Sequence, residues 1–207
     1  GRPPIETWTG RVDVVHGPNF VVPPARRAAR VVTVHDLTAW RFPEMVDESS
    51  ARYPRLVARA IADGAWVHTP SETVADEVVD RLGAARDRVV IVPNGAPDLG
   101  PETDGVTAAD GRRRAGVDRY VLAVGTVEPR KDLPGLVQAF DAVADSDPEL
   151  HLLLVGPDGW GVADLDRALD RVTHRDRVLR LGWVDDAGRT ALLRGASVVA
   201  YPSVYEG

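Results

Sequence analysis

The residues best suited to chemistry are an adjacent arginine and lysine, Arg130 and Lys131, within Gly-Thr-Val-Glu-Pro-Arg-Lys-Asp at 125–132. Of the 25 basic side chains, 24 are arginine, and Lys131 is the single lysine. A compact ammonium and a planar guanidinium bind anions differently, so one lysine among arginines suggests a particular task. The pair follows an apolar run and a glycine and precedes a helical pattern, and helix N-termini hold phosphate readily. We predict a diphosphate-binding pair; a solvated loop pair is the alternative.

A histidine occupies a second informative position. His35 directly follows the apolar run at 31–34, at the carboxyl end of a predicted strand, where open α/β sheets bind ligands. Position alone leaves a structural role and a ligand contact equally open. Asp36 is expected to cap the following turn. The other histidines lack metal-ligand spacing and are expected to be structural or exposed; they are His16, His68, His151 and His174.

Metal chemistry has weak support in the sequence. Two Asp-x-Asp sequences occur, at 145–147 and 164–166, but both fall at the ends of predicted helices, where capping or solvation accounts for carboxylates. The chain has no cysteine, which excludes disulfides and thiolate metal sites. We therefore predict no metal site.

Composition narrows the class of protein. The chain has 207 residues, enough for one large or two small domains. Its net charge is −6, with arginines dispersed among 31 carboxylates, which argues against nucleic acid as a partner. No stretch approaches the roughly 20 apolar residues of a membrane span, and the first residues lack the apolar core of a signal peptide. We expect a soluble, cytoplasmic protein.

The elements that must position these residues alternate between strands and helices. The apolar runs are continuous, as in parallel strands covered on both faces; they lie at 12–15, 31–34, 66–68, 89–92, 120–124, 150–155, 178–181 and 198–201. Helical patterns lie between most of them, at 50–63, 133–145, 164–172 and 185–194, and from a capping box with proline at 69–72 to Gly83. This alternation predicts a doubly wound α/β fold.

A stretch rich in proline and glycine interrupts the alternation at 93–105. Such a stretch is typical of a connection between domains. We predict an amino-terminal domain at 1–100, an interdomain linker at 101–118 and a carboxyl-terminal domain at 119–207.

Seven short motifs, taken in order, resemble the retaining glycosyltransferases of GT-B fold, specifically family 4 (group 1), which includes many bacterial mannosyltransferases. They are Val-His-Gly-Pro-Asn at 15–19, Val-Thr-Val-His-Asp-Leu at 32–37, Val-Pro-Asn-Gly at 92–95, Val-Gly-Thr-Val-Glu-Pro-Arg-Lys at 124–131, Leu-Val-Gly at 154–156, Leu-Gly-Trp-Val at 181–184 and Tyr-Pro-Ser-Val-Tyr-Glu-Gly at 201–207. In the family, a second glutamate follows the final Glu-Gly, so the chain is expected to be a central fragment of two incomplete Rossmann-like domains.

The resemblance implies a reaction. A hexose, mannose-like, would pass from a nucleotide-diphospho-sugar to an acceptor hydroxyl without metal or cofactor, with GDP-mannose as the expected donor. The acceptor would be an unknown glycan or lipid-linked molecule, which leaves peripheral membrane association open. A non-catalytic nucleotide- or partner-binding module, or an inactive truncated fragment, is the alternative; a phosphorylase or epimerase on the same architecture is a weaker one.

The resemblance also implies the roles of individual residues. The catalytic set is His35, Arg130, Lys131 and Glu206. The nucleotide-binding set is Gly125, Arg130, Lys131, Gly182 and Val184, with Gly125 allowing close backbone approach. Trp183 is as readily explained by packing as by binding.

Overall fold

The computed structural model describes residues 3–96 and 105–207 and divides into two compact units. The first contains Gly1–Ala96 with Glu206–Gly207, and the second contains Pro97–Tyr205. Each unit has its own four-stranded parallel sheet, which confirms the predicted fold class. Across the described ranges, every helix falls short of the length and apolarity that crossing a bilayer requires.

The first sheet has the strand order β1-β2-β3-β4. Its strands are β1 (Val14–Gly17), β2 (Ala29–Thr33), β3 (Trp66–Thr69) and β4 (Val89–Ile91). The α-helices of this unit are α1 (Glu6–Thr9), α2 (Thr38–Arg41), α3 (Tyr53–Ala62) and α4 (Glu72–Leu82), and short 3₁₀ turns occupy Pro43–Met45, Ser50–Arg52 and Arg86–Arg88.

The core of the first unit contains buried residues from its strands and from α3 and α4. Val32 and Val67 of the strands and Val57 and Val74 of the helices are at most 1% exposed. Valines of the edge strands, in contrast, are exposed: Val14 by 58% and Val90 by 46%. The prediction of strands covered on both faces therefore does not hold for the edges of this sheet among the described residues.

Helix α4 begins slightly later than predicted. The Ser71 hydroxyl accepts a hydrogen bond from Val74 N at 3.2 Å, so Ser71 is the N-cap and Pro70 lies before the helix rather than at its first position. The helix ends as predicted, at Gly83, whose φ of 69° is the left-handed conformation that glycine adopts freely.

The second sheet has the strand order β7-β6-β5-β8. Its strands are β5 (Arg119–Val124), β6 (Leu150–Val155), β7 (Val178–Gly182) and β8 (Val198–Val199). The helices are α5 (Ala108–Ala115), α6 (Leu133–Ala144), α7 (Val162–Leu169) and α8 (Asp186–Gly195), with 3₁₀ turns at Pro129–Lys131 and Arg175–Arg177.

Side chains of β5 and β6 alternate between two apolar clusters, as a doubly wound sheet requires. One cluster joins Ala123 and Leu154 to residues of α6 and α7, including Phe140 and Leu165. The other joins residues such as Leu122 and Leu153 to Ala115 of α5 and Leu192 of α8. The sheet of the second unit therefore has a packed core on each face.

Helix α5 lies inside the stretch predicted as a linker. Its N-cap is Thr107, which forms a reciprocal capping box with Asp110. Gly111 packs so closely against α8 that an added Cβ would lie 2.0 Å from the Ala191 carbonyl oxygen. The part at 105–118 is thus largely ordered structure, while the part at 101–104 lies outside the described residues.

Candidate active site

Three glycines mark the carboxyl ends of adjacent strands in the second unit. Gly125 N donates to the Val155 carbonyl at 2.8 Å, and Gly156 N donates to the Gly182 carbonyl at 2.8 Å. A Cβ at Gly156 would lie 2.0 Å from the Gly125 carbonyl oxygen. The backbones therefore approach closely at the edge of the sheet where ligands of α/β folds bind.

The predicted basic pair lies at this edge, in the turn Pro129–Lys131 that precedes α6. Helix α6 begins at Leu133, as predicted, and the Asp132 carboxylate accepts from Gly135 N at 3.2 Å. One of the amides that helix N-termini offer to anions is thus already bonded within the chain.

The Lys131 ammonium lies against an aromatic ring. Nζ is 2.5 Å from the Tyr201 hydroxyl oxygen and 4.3 Å from the centroid of the Tyr201 ring. The lysine stem passes over Gly125, whose hypothetical Cβ would be 3.5 Å from Lys131 Cε. A Cβ at Gly125 would thus be in ordinary van der Waals contact with the stem, and the close backbone approach at this edge requires glycine at Gly156 rather than at Gly125.

The Arg130 guanidinium contacts two groups of its own unit. It contacts the Glu128 carboxylate at 2.6 Å, and its other terminal nitrogen donates to the Tyr205 carbonyl at 3.1 Å. The Arg130 and Glu128 side chains are only 16% and 13% exposed. Arg130 thus fastens the turn to the carboxyl-terminal segment, a role that the prediction of two equivalent cations did not include.

The segment after β8 is tied to both β5 and this turn. Ala200 N donates to the Leu122 carbonyl at 2.8 Å, and Val204 N donates to the Arg130 carbonyl at 2.9 Å. Between them, the Ser203 hydroxyl oxygen is buried and has no hydrogen-bond partner among the described residues. It lines a hollow of about 10 Å³ together with residues that include Gly125 and Lys131.

The end of β7 carries the other predicted nucleotide contacts. Gly182 has a φ of 67°, a left-handed conformation that suits glycine. Val184 packs partly against the second apolar cluster. Trp183, between them, is 72% exposed, so packing does not account for its side chain.

His35 follows β2 in the first unit and is partly buried. Its Nε2 lies 2.9 Å from the Pro18 carbonyl oxygen, and its ring meets that of Phe20 edge-to-face at 5.7 Å. Phe20 adopts a left-handed φ of 57° and stacks on Tyr53 at 4.9 Å. A non-glycine residue in this conformation is strained, which is common beside binding sites. Asp36 caps the next turn as expected, because its carboxylate accepts from Thr38 N at 2.8 Å.

The structure gathers the predicted residues in two groups. Gly125, Arg130, Lys131, Gly182 and Val184 belong to the second unit, at the ends of β5 and β7 or in the turn after β5. His35 belongs to the first unit, with which the exposed Glu206 is also grouped.

The carboxylates of the two Asp-x-Asp sequences, at 145–147 and 164–166, each pair with an arginine or histidine side chain. Asp166 pairs with Arg180 at 2.8 Å, and Asp164 pairs with Arg167. Asp147 pairs with Arg119 at 2.8 Å. Within residues 3–96 and 105–207, histidine, aspartate and glutamate side chains form no group of three or more that could hold a metal ion.

Three of the other histidines form hydrogen bonds that connect elements of the fold. In the first unit, the Thr33 hydroxyl lies 2.7 Å from His16 Nε2 and 2.8 Å from His68 Nδ1 and so links three strands. In the second unit, His174 lies between Asp141 and Asp145, each 2.9 Å from one ring nitrogen. The backbone N–H of His174 donates to Asp141, which lowers the pKa of that carboxyl.

Sequence reasoning missed two residues of this site. Gly156 ends the Leu-Val-Gly motif at 154–156 and was given no role. Like Gly125, it directly follows an apolar run, and that position could have indicated a glycine at a strand end. Tyr201 begins the motif at 201–207 and was likewise given no role. Its contact with Lys131 joins residues 70 positions apart and had no local signal.

A larger hollow, of about 470 Å³, lies elsewhere in the first unit. Its lining is mainly apolar and includes Trp8, Leu56 and Pro24, with Arg30 and Asp63 among its polar residues. Because Arg30 is near the start of β2, this hollow is at the amino end of the strands, away from the edge where α/β sheets bind ligands.

Two family models match the chain. One, described as Glycosyltransferase Family 4, matches residues 5–98, and the other, Glycosyl transferases group 1, matches residues 118–207. Together with the two parallel-sheet units, these matches place the chain in the glycosyltransferases of GT-B fold. The amino-terminal part of the chain thus matches the family 4 model and the carboxyl-terminal part the group 1 model.

Curated relatives are consistent with this family. O-antigen chain mannosyltransferase B of Escherichia coli is 29% identical over 203 residues, which cover 94% of this chain and 52% of the relative. A phosphatidyl-myo-inositol mannosyltransferase of Mycobacterium tuberculosis is 34% identical over 119 residues, or 55% of this chain and 28% of the relative. The chain thus spans about half the length of the first of these relatives and less of the second.

Solved structures show the same fold. WaaG, a glycosyltransferase involved in lipopolysaccharide biosynthesis, matches with a TM-score of 0.73 at 17% identity, over 96% of this chain and 55% of WaaG. HepE of Anabaena, in complex with UDP-glucose, matches with a TM-score of 0.68 at 20% identity, over 86% of this chain and 48% of HepE.

Proposed function

We propose that this chain belongs to a retaining glycosyltransferase that moves a mannose-like hexose from a nucleotide-diphospho-sugar to an acceptor hydroxyl. The observation that carries the proposal is the position of Lys131. Its ammonium lies beside the row of glycine strand ends in the second unit, where a diphosphate could meet both a cation and closely approached backbone. Gly182, Val184 and the exposed Trp183 would hold the nucleoside.

The names of similar proteins support a sugar nucleotide as donor. Two of the relatives are mannosyltransferases, and HepE was crystallised with UDP and with UDP-glucose. These names favour mannose as the sugar but leave guanine and uracil as competing bases. GDP-mannose is our proposed donor.

The chemistry follows from the charge that develops as the bond from sugar to phosphate breaks. Negative charge grows on the leaving diphosphate while the sugar gains oxocarbenium character, so a fixed cation stabilises the transition state more than the ground state. Lys131 would supply that cation. The acceptor hydroxyl would attack from the same face that the diphosphate leaves, with a phosphate oxygen taking its proton. His35 and Glu206 would contact the donor sugar.

We further propose that transfer does not require a divalent metal. The Asp-x-Asp carboxylates are engaged by Arg119, Arg167, Arg180 and His174. A lysine and backbone dipoles would take the place of the metal in balancing the diphosphate charge.

Calorimetric titration of the protein with GDP, UDP and ADP, with and without magnesium, tests these proposals. We expect one nucleotide to bind preferentially and equally well in EDTA. Lys131→Ala should weaken binding of that nucleotide and slow transfer by about 10- to 100-fold, because a charge-assisted hydrogen bond contributes roughly 1.5–3 kcal/mol. The control is Arg113→Ala, which also removes one positive charge, from a side chain on α5 that is 72% exposed. It should change neither the nucleotide affinity nor the rate of transfer.

Unchanged affinity in Lys131→Ala would remove the diphosphate site from this turn. Strict dependence on magnesium would replace the proposed cation with a metal-bridged site. Tight nucleotide binding without any transfer to sugar or lipid acceptors would favour a non-catalytic binding module.

A further inference from the structure

Tyr201 is an exposed tyrosine whose ring and hydroxyl both contact the single lysine. Its side chain is 59% exposed, so burial of apolar surface does not explain the residue. The Lys131 ammonium is 2.5 Å from its hydroxyl oxygen and 4.3 Å from its ring centroid. The two distances together place the ammonium at the hydroxyl end of the ring, where the hydroxyl oxygen accepts one of its three N–H groups.

The backbone holds Tyr201 in place for this contact. Strand β8 pairs with β5, with Leu122 opposite Val199, and Ala200 N extends this pairing by donating to the Leu122 carbonyl. Val204 N then donates to the carbonyl of Arg130, the neighbour of Lys131. Tyr201 therefore stands between two anchors, one on the strand and one on the turn that carries the lysine.

We propose that Tyr201 is a positioning residue for Lys131, so that the ammonium meets the diphosphate in one prepared orientation. A lysine has four flexible side-chain bonds, and an unheld ammonium would lose rotamer freedom when it bound the ligand. The stem passes beside Gly125, and the Tyr201 hydroxyl holds the ammonium at its end. This inference rests on the proposed diphosphate site.

A double-mutant cycle on nucleotide affinity separates positioning from general packing. The variants are Tyr201→Phe, which keeps the ring, Tyr201→Leu, which removes it, Lys131→Ala, and each tyrosine change combined with Lys131→Ala. We expect Tyr201→Phe and Tyr201→Leu each to weaken binding by about 3- to 10-fold, because both remove the hydroxyl that holds the ammonium. In the Lys131→Ala background, either tyrosine change should alter affinity by less than about twofold.

Tyr120→Phe is the matched control. It also removes one tyrosine hydroxyl from the second unit, but that hydroxyl donates to the Leu192 carbonyl at 2.8 Å inside the core. Its loss should lower stability and leave nucleotide affinity unchanged. Equal effects of the Tyr201 changes with and without Lys131 would overturn the proposal, and so would unchanged or tighter binding in Tyr201→Phe.

A second readout needs no nucleotide. Because Lys131 is the single lysine of the 207 residues, a sample with ¹³C-labelled lysine gives one set of Hε resonances from this chain. We expect the Hε resonances to change in both Tyr201→Phe and Tyr201→Leu, because both variants lose the hydroxyl that holds the lysine beside the ring. Resonances unaltered by Tyr201→Leu would refute the contact. If the contact is present but Lys131→Ala binds nucleotide normally, Lys131 does not bind the diphosphate. The proposed site and the positioning role of Tyr201 would then both be rejected.

Discussion

At the scale of single residues, the two adjacent cations have different surroundings and therefore different expected roles. Arg130 is shielded from solvent and shared between a carboxylate and a backbone carbonyl. Lys131 lies at the sheet edge against an exposed ring. The sequence presents them as one basic pair, but the structure assigns the arginine to holding the turn and leaves the lysine as the stronger candidate for ligand binding.

This difference predicts a separation of stability from affinity. Arg130→Ala should lower the free energy of unfolding of the second unit by about 2–3 kcal/mol, because it leaves the shielded Glu128 carboxylate unpaired. Lys131→Ala should lower it by less, about 0.5–1 kcal/mol, because the half-buried side chain loses one hydrogen bond, to Tyr201. Urea denaturation followed by circular dichroism measures both changes.

The double variant Arg130→Ala with Glu128→Gln is the control for the pair. It should recover part of the stability lost in Arg130→Ala, since no carboxylate is then left unpaired. Equal stability of Arg130→Ala and the wild type would contradict the structural role of the arginine.

At the scale of elements, the contact between α5 and α8 depends on glycines. A Cβ at Gly111 would lie 2.0 Å from the Ala191 carbonyl oxygen, and one at Gly195 would lie 2.5 Å from the Tyr120 hydroxyl oxygen. Because both residues lack a side chain, the backbones of α5 and α8 can approach closely. The contact fixes one face of the second sheet, whose opposite face supports α6 and the basic turn.

Substitution of Gly111 tests this contact. Alanine favours helix over glycine by about 1 kcal/mol, so an exposed site would gain stability. At Gly111 we expect a net loss of about 2 kcal/mol, because overpacking commonly costs 1–3 kcal/mol and the obstructing atom is backbone. The change should appear in thermal denaturation. A stability equal to or above that of the wild type would show that the helices can separate without cost.

Much of the second unit could be predicted from its local sequence. Helix α6 was expected at 133–145 and occupies Leu133–Ala144, since its apolar period, its Asp132 cap and the early Pro134 agree. Helix α5 was missed because Arg112, Arg113 and Arg114 dominate its sequence, while the face that packs consists of Gly111 and Ala115. Small residues give little hydrophobic signal, so close helix packing of this kind is poorly visible in a sequence.

The site was predictable to the same extent. A basic pair before a helix has a local pattern, and so does a glycine after a strand. The commitment of Arg130 to Tyr205 and the contact of Lys131 with Tyr201 depend on β8 pairing with β5, which brings together residues more than 69 positions apart. No local pattern encodes that pairing.

At the scale of the whole molecule, the two units have separate sheets, and both apolar clusters of the second sheet contain residues of the second unit alone, so a local disturbance should remain within its own unit. Two glycines allow reciprocal variants. A Cβ at Gly17 would lie 2.0 Å from the Val21 carbonyl oxygen in the first unit, and a Cβ at Gly156 would lie 2.0 Å from the Gly125 carbonyl oxygen in the second. Both clashes are with backbone and cannot be relieved by a side-chain rotation.

Native-state hydrogen exchange read by mass spectrometry should resolve the two responses. Gly156→Ala should raise exchange of amides in β5, β6 and β7 by about 10-fold or more, because a clash costing at least about 1.4 kcal/mol shifts the opening equilibrium by that factor. Amides of β2 and β3 should be unchanged. Gly17→Ala should give the reverse pattern. The reciprocal design controls for any general effect of adding a methyl group, since each variant is the reference for the other. If either substitution raised exchange equally in both sheets, the chain would unfold as one cooperative unit, and the division into two units would describe its geometry but not its energetics.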